Sequence, residues 1–239
     1  MTDAVPIYID IETVPGQAPW IMQSLIDGAE KEKKEILAPA NYKDPVKISE
    51  FIKAKCEEID ADIEDRFRKT SLDGSRGQIV CLSAAVGDAD PVTFWYDEWK
   101  DAEFMILEGL NQIIKDAYVE GKMIRPIFVG HNIAGFDLRF LYQRYVINQI
   151  TPHHIIPFDA KPWDNRIYVT MAQWAGHGNR ISLDRLCRCL GIDGKGPDID
   201  GSKVWDFVQA NRIAEVAAYC TEDVLKTRKV HRRMTFGRN

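Results

Sequence analysis

No stretch of this 239-residue chain stays apolar for the ~18–20 residues that a helix needs to cross a bilayer, so a membrane-spanning helix is excluded. The opening MTDAVPIYIDIET also lacks the basic start, long apolar stretch and small-residue cleavage site of a secretory signal. A cytoplasmic location, with no membrane partner, is the expectation. Cysteines are few and poorly arranged for cross-linking. Cys56, Cys81, Cys187, Cys189 and Cys220 are odd in number and include no CxxC pair, which argues against a disulfide framework and fits reduced thiols. Cys187, Cys189 and His177 match no zinc spacing and are read as packing residues, while His153-His154 lacks a third ligand and is read as a loop pair. Internal repeats and low-complexity linkers are absent. So is any overall excess of positive charge: the net charge of −5 argues against a generic polyanion binder.

What is present is an ordinary globular composition, 45% hydrophobic and 28% charged, which leaves no case for disorder or a fibre. The length suits one α/β domain, or one domain carrying a large insertion. The charge is unevenly spread. Residues 1–120 hold 13 Lys and Arg against 25 Asp and Glu, a balance of −12, whereas residues 121–239 hold 18 against 11, a balance of +7. Two readings stand level: a basic face that meets an anionic partner such as nucleic acid, or charges that intermix in space.

Along the chain, residues 6–12 (PIYIDIE) read as a buried strand broken by Thr13-Val14-Pro15-Gly16. Helical periodicity follows over 17–37 and 46–69. The acidic runs Glu30–Glu35 and Glu57–Asp65 are read as solvated faces. Strands are expected at 78–86 and 91–96, joined as a hairpin, then a helix over 101–120, a short buried strand over 125–129 and a helix over 135–148. Residues 151–165 read as a loop and 166–174 as another short strand. Helices are expected over 180–190, 203–209 and 212–234, with a glycine-rich loop at 191–201. This order implies an α/β fold of the ribonuclease H type, a mixed sheet flanked by helices. Residues 1–239 then form a single domain, and 16–77 is a helical insertion between the first two strands, available as a cap, a clamp or a protein-partner surface.

Three segments carry the chemistry. Asp10 and Glu12 are two apart on the first strand and point to one face. Two acids there repel at an otherwise apolar strand unless cations sit between them. Asp-x-Glu also occurs at Asp62–Glu64 and Asp101–Glu103, both read as exposed helix, so the setting singles out the first pair. In GHNIAGFDLRFL, residues 130–141, a strand gives way to a helix with Asp137 in its first turn, where the helix dipole alone also favours an acid. In AAYCTEDVLKTRKV, residues 217–230, Tyr219 and Asp223 are four apart and share a helix face, while Glu222 lies about a hundred degrees away.

Together, D-I-E-T, H-N-x-x-x-F-D and Y-x-x-x-D, in this order, resemble the DEDD or DnaQ-like superfamily of 3′→5′ exonucleases. Tyr219 places the likeness in the DEDDy branch, since the position that holds histidine in the other branch is Ala218. The chain is most similar to the proofreading exonuclease domain of family B DNA polymerases, over residues 6–15 and about 78–235. The segment 16–77 is not explained. Val169 stands where many relatives have an Asp that supports the site without binding metal.

The resemblance implies that Asp10, Glu12, Asp137 and Asp223 hold two divalent ions, Mg²⁺ or Mn²⁺, for phosphodiester hydrolysis. Tyr219 would orient the attacking water, Thr13 and Val14 would meet the terminal nucleotide, and Asn132 would hydrogen-bond substrate or a ligand. The implied partner is single-stranded nucleic acid. DNA is preferred over RNA, and an exoribonuclease or a non-catalytic adaptor are the alternatives. Arg180, Arg185, Arg188, Lys195 and Lys203, with Lys226, Arg228, Lys229, Arg232 and Arg233, are candidates to track the backbone, though each alone is more simply a solvated residue. Trp163, Trp174 and Trp205 are assigned to core packing ahead of base stacking.

Overall fold

The computed structural model describes residues 4–118, 125–192 and 199–237. Its five strands are β1 (Ala4–Val14), β2 (Gln78–Val86), β3 (Val92–Trp95), β4 (Arg125–Gly130) and β5 (Ile167–Val169), in the order β3-β2-β1-β4-β5. β1 is central, antiparallel to β2 and parallel to β4, and β5 continues the parallel half. A mixed sheet results because β2 and β3 join by a tight turn at Gly87, whereas the parallel strands are linked through helices.

The helices are α1 (Pro19–Lys34), α2 (Pro45–Lys69), α3 (Glu103–Ala117), α4 (Asp137–Ile147), α5 (Thr170–Ala175), α6 (Leu183–Cys189), α7 (Val204–Gln209) and α8 (Ile213–Met234). On one face of the sheet, Ile7, Ile9 and Ile11 pack with Phe128, with Ile106, Leu107 and Leu110 of α3 and with Phe140 and Leu141 of α4. Each such side chain contributes ~1.5–3 kcal/mol on burial. α8 covers the other face, where Val224 meets Tyr8, Ala85 and Val129, and Val216 and Cys220 meet Val80 and Cys81. None of the described helices is long and apolar enough to cross a membrane.

Two expectations need correction. The strand expected over 166–174 is only Ile167–Val169, after which the chain turns into α5. β5 ends as β4 does: its last pairing is Gly130 with Val169, and beyond it His131 O accepts the N–H of Met171. Glu103 is not an exposed acid. It is buried, accepts the backbone N–H of Ile79, and is held by Arg144 at 2.8 and 2.6 Å and by Asn148 at 2.9 Å. Its partners are 24 to 45 residues away, beyond the reach of local pattern.

α1 and α2 lie between β1 and β2. α2 has no buried residue and, at ~1.5 Å per residue, runs ~37 Å. The acidic runs are exposed as expected but also join the two helices, since Arg66 is bidentate to Glu32 and Lys33 pairs with Asp60. The foot of α2 meets the body through an edge contact of Phe67 with Trp205 and an ion pair of Arg68 with Asp206 at 2.8 Å. A short 3-10 turn, Thr70–Leu72, follows. There the Thr70 hydroxyl accepts the N–H of Gly16, and Ser71 O accepts the Thr13 hydroxyl at 2.7 Å.

Candidate active site

Strand alternation sets the first two acids. Ile7, Ile9 and Ile11 enter one core, so Tyr8, Asp10 and Glu12 face the opposite side, under α8. The register with β2 is regular from Ile7↔Val86 to Glu12↔Cys81 and then slips, with Thr13 opposite Ile79. The skipped residue is Val80, so β2 carries a bulge opposite the end of the acidic segment, a common device beside functional sites.

Asp137 is the first residue of α4, after a turn in which Asn132 O accepts the N–H groups of Gly135 and Phe136. Its carboxylate accepts from its own N–H and from the backbone N–H of Ile11. Asp223 comes from the buried face of α8, one turn beyond Tyr219, and both are buried. The Cys220 thiol donates to the main-chain oxygen of Asp10 at 3.4 Å, fixing α8 against β1.

Carboxylate oxygens of Asp10, Glu12 and Asp223 lie within 4.8 Å of one another, the one such grouping among the described residues. Asp137 is outside that trio but close enough to act on Asp10 electrostatically. Burial raises the Asp10 carboxyl well above the usual range, and the charges of Glu12, Asp223 and Asp137 raise it further. Burial pushes Asp137 up to about 7, against two hydrogen bonds that lower it. Asp10 keeps some surface exposure, yet its Oδ2 is enclosed and has no hydrogen-bond partner among the described residues. Asp10 and Asp137, whose burial disfavours ionisation, together with Glu12 and Asp223 and the orphaned Asp10 oxygen, form an oxygen-only cradle suited to hard divalent cations.

The remaining candidates fall differently. Val14 is fully enclosed with Val80 and Cys81, so its side chain does not face the site, and the Thr13 hydroxyl is engaged by Ser71. The side chain of Asn132 folds over Gly135, where a Cβ would lie 2.5 Å from its Oδ1. Glu222, the competing acid, is exposed and pairs with Lys226 at 2.9 Å. His177 and Cys189 are exposed and Cys187 is packed, so these three do not converge. His153 and His154 stack on each other, with ring centres 4.6 Å apart. Trp205 packs as expected, whereas Trp163 and Trp174 are exposed, against the expectation of core packing. Arg180, Arg185, Arg188 and Lys203 are exposed, and Lys195 lies outside the described residues.

Sequence spacing missed two supports. His131 bridges the Thr170 hydroxyl at 2.9 Å and Ile181 O at 2.7 Å, tying the end of β4 to the start of α5 and to the chain before α6. Cys220 gave no signal beyond lying beside Tyr219.

Residues 103–239 match a family model described as a predicted 3′–5′ exonuclease related to the exonuclease domain of PolB. The match takes in Asp137, Tyr219 and Asp223. Asp10 and Glu12 precede it, and the fold brings them to the same place. Among solved structures, a family B DNA polymerase from the hyperthermophilic archaeon Pyrobaculum calidifontis is similar with a TM-score of 0.54 and 14% sequence identity, over 98% of this chain and 25% of that chain. At that identity the likeness is one of fold, a ribonuclease H-like sheet flanked by helices. This chain spans about a quarter of the polymerase's length. No curated protein sequence matches it.

Proposed function

Because the chain belongs to the family of predicted 3′–5′ exonucleases related to the exonuclease domain of PolB, we propose that it removes nucleotides from the 3′ ends of single-stranded DNA by metal-dependent phosphodiester hydrolysis. The observation that carries this reading is the convergence of Asp10, Glu12 and Asp223 within 4.8 Å, around an enclosed and unpartnered Asp10 oxygen, with Asp137 beside them. Such a cluster is costly for a fold to keep without cations.

In this reading Asp10, Glu12, Asp137 and Asp223 hold two divalent ions, Mg²⁺ or Mn²⁺. When bound, such ions supply nucleophile activation and charge neutralisation at the leaving 3′ oxygen. The protein positions the donors. The sheet fixes Asp10 and Glu12, the Ile11 N–H orients Asp137, and the Cys220 contact docks α8 with Tyr219 and Asp223. Tyr219, with a phenol ordinarily near pKa ~10, is a poor base at neutral pH and acts by orienting the attacking water. With Val14 turned inward, the backbone around Thr13 rather than the Val14 side chain meets the terminal nucleotide, and Asn132 lines the turn before Asp137. Residues 1–239 act as one exonuclease unit, and the 16–77 insertion serves as a clamp or partner surface.

The test uses 5′-labelled single-stranded DNA and matched RNA, with Mg²⁺, Mn²⁺ or EDTA, for wild type and Asp10→Ala. The expected result is a metal-dependent ladder shortening from the 3′ end, faster on DNA and absent in Asp10→Ala. Faster RNA degradation would move the assignment to an exoribonuclease. Equal behaviour of wild type and variant would return the chain to an adaptor.

A further inference from the structure

We infer that an open groove at the C-terminal end of α8 is a second contact site for the same nucleic-acid strand, holding nucleotides on the 5′ side of the scissile bond; the inference rests on the exonuclease reading of the carboxylate site. The groove, about 610 Å³, is lined by Ile192, Lys229, Arg232, Arg233, Phe236 and Gly237.

The late cations of α8 are not equivalent. Lys226 is buried and paired with Glu222. Arg228 is buried and donates to Gly87 O at 3.2 Å and Ala89 O at 2.7 Å, holding the β2–β3 turn. Arg232 pairs with Asp88 of that turn. Lys229 and Arg233 remain exposed and form no ion pair with any described residue. Both line the groove, beside a Phe236 ring that is 87% exposed. Unpaired cations beside an exposed aromatic ring make the combination that holds single strands without sequence preference, charge for phosphates and a ring for base stacking.

The placement also fits. Tyr219, Lys226 and Arg233 are seven residues apart and fall on one stripe of α8, with Lys229 at its flank. Lys229 and Arg233 follow Asp223 by six and ten residues, ~9 and ~15 Å along the helix at ~1.5 Å per residue. At ~3.4 Å per phosphate in a stacked strand, the groove meets the chain roughly three to four nucleotides from the cluster. The +7 balance of residues 121–239 thus has a concentrated, accessible part here.

The experiment measures binding of fluorescein-labelled oligothymidylates, from a 3-mer to a 20-mer, to metal-free full-length protein at several salt concentrations. It compares wild type, Lys229→Glu/Arg233→Glu, Phe236→Ala, and a control with the same charge change at exposed positions just before and on α3, Lys100→Glu/Lys115→Glu. The groove variant is expected to bind the 20-mer at least tenfold more weakly, with a log–log salt slope shallower by about 1.4 for two lost phosphate contacts. It should also lose the gain in affinity that wild type shows beyond about four nucleotides. Phe236→Ala should weaken binding several-fold at unchanged salt slope. Unaltered 20-mer binding in the groove variant, an equal loss in the Lys100/Lys115 control, or no binding by wild type would each overturn the proposal. Groove-dependent binding without metal-dependent shortening of the strand would sink the exonuclease reading and leave the groove supported.

Discussion

The carboxylate of Asp137 accepts a hydrogen bond from the backbone N–H of Ile11, the residue that separates Asp10 from Glu12. One contact therefore joins the start of α4 to the middle of the acidic strand segment, across 126 positions of sequence. Ile11 turns its side chain into the core under α3 and α4, so its amide is held in place by apolar packing. Asp137 is thus positioned from a strand whose other face is packed in the core.

That arrangement carries an electrostatic cost that Asp137→Asn should expose. Asp137 is raised from its ordinary 3.8 to about 7, chiefly by burial. A raised folded-state pKa gives stability that is complete below the unfolded value and is lost as pH rises through about 7. At pH 8 without metal, the folded protein carries this buried charge. Asn keeps an oxygen for the Ile11 N–H and removes the charge. The variant should unfold several degrees above wild type at pH 8 in EDTA, lose that advantage below about pH 4, and lack nuclease activity. A lower unfolding temperature at pH 8 would contradict the charge argument.

Tyr219→Phe separates orientation from metal binding. The ring is buried on α8 one turn before Asp223, so the apolar body should repack without change. Removing only the hydroxyl should lower kcat ~10–100-fold, at or below the ~10²–10⁴-fold of a general acid or base because the hydroxyl orients water without taking its proton, and leave the Mn²⁺ dependence of KM and the unfolding temperature as in wild type. A shifted metal requirement would instead put the hydroxyl among the metal-holding groups.

The core of this site was legible because it is built from local rules. Asp10 and Glu12 follow the period of two that puts Ile9 and Ile11 on the other face. Tyr219 and Asp223 follow the four-residue spacing of one helix turn, and Asp137 sits where a strand stops and a helix starts. What was not legible depends on distant partners. Glu103 looked like Asp101, an exposed helix acid, until Arg144, Asn148 and the Ile79 N–H enclosed it. Val14 looked like part of the ligand-facing DIETV stretch, but residues of α7 and α8 such as Val204 and Val216 cover it together with Val80 and Cys81. Trp163 and Trp174 had the composition of core residues and the position of loop and helix-end residues, and position decided their exposure.

Glu103 should behave as a paired buried charge. Glu103→Ala leaves the Arg144 guanidinium buried without its carboxylate and orphans the Ile79 N–H. A loss of about 3–5 kcal/mol in urea unfolding is expected. Glu103→Ala/Arg144→Met, which removes both charges, should recover at least half of it. If the single and double variants were equally unstable, the loss would come from packing instead.

His231 gives the opposite pH sign from Asp137 within an overlapping window. Its ring is buried on α8, with Nδ1 3.0 Å from the Tyr8 hydroxyl and the Tyr168 ring 4.5 Å away. Burial lowers its pKa from 6.5 to about 4. A depressed histidine pKa leaves stability complete above about 6.5. As pH falls towards 4 the unfolded chain takes up a proton that the folded one refuses, and on the order of 3 kcal/mol is lost at ~1.36 kcal/mol per pKa unit. In wild type, protonation of Asp137 over the same range offsets part of this loss, so the comparison belongs in the Asp137→Asn background. There, urea unfolding at pH 7.5, 6, 5 and 4.5 should show stability falling steeply with acid. Adding His231→Gln should lower stability at pH 7.5, because the Tyr8 contact and ring packing change, and flatten the slope between 6.5 and 4.5. A slope unchanged by the histidine substitution would assign the acid sensitivity to other groups.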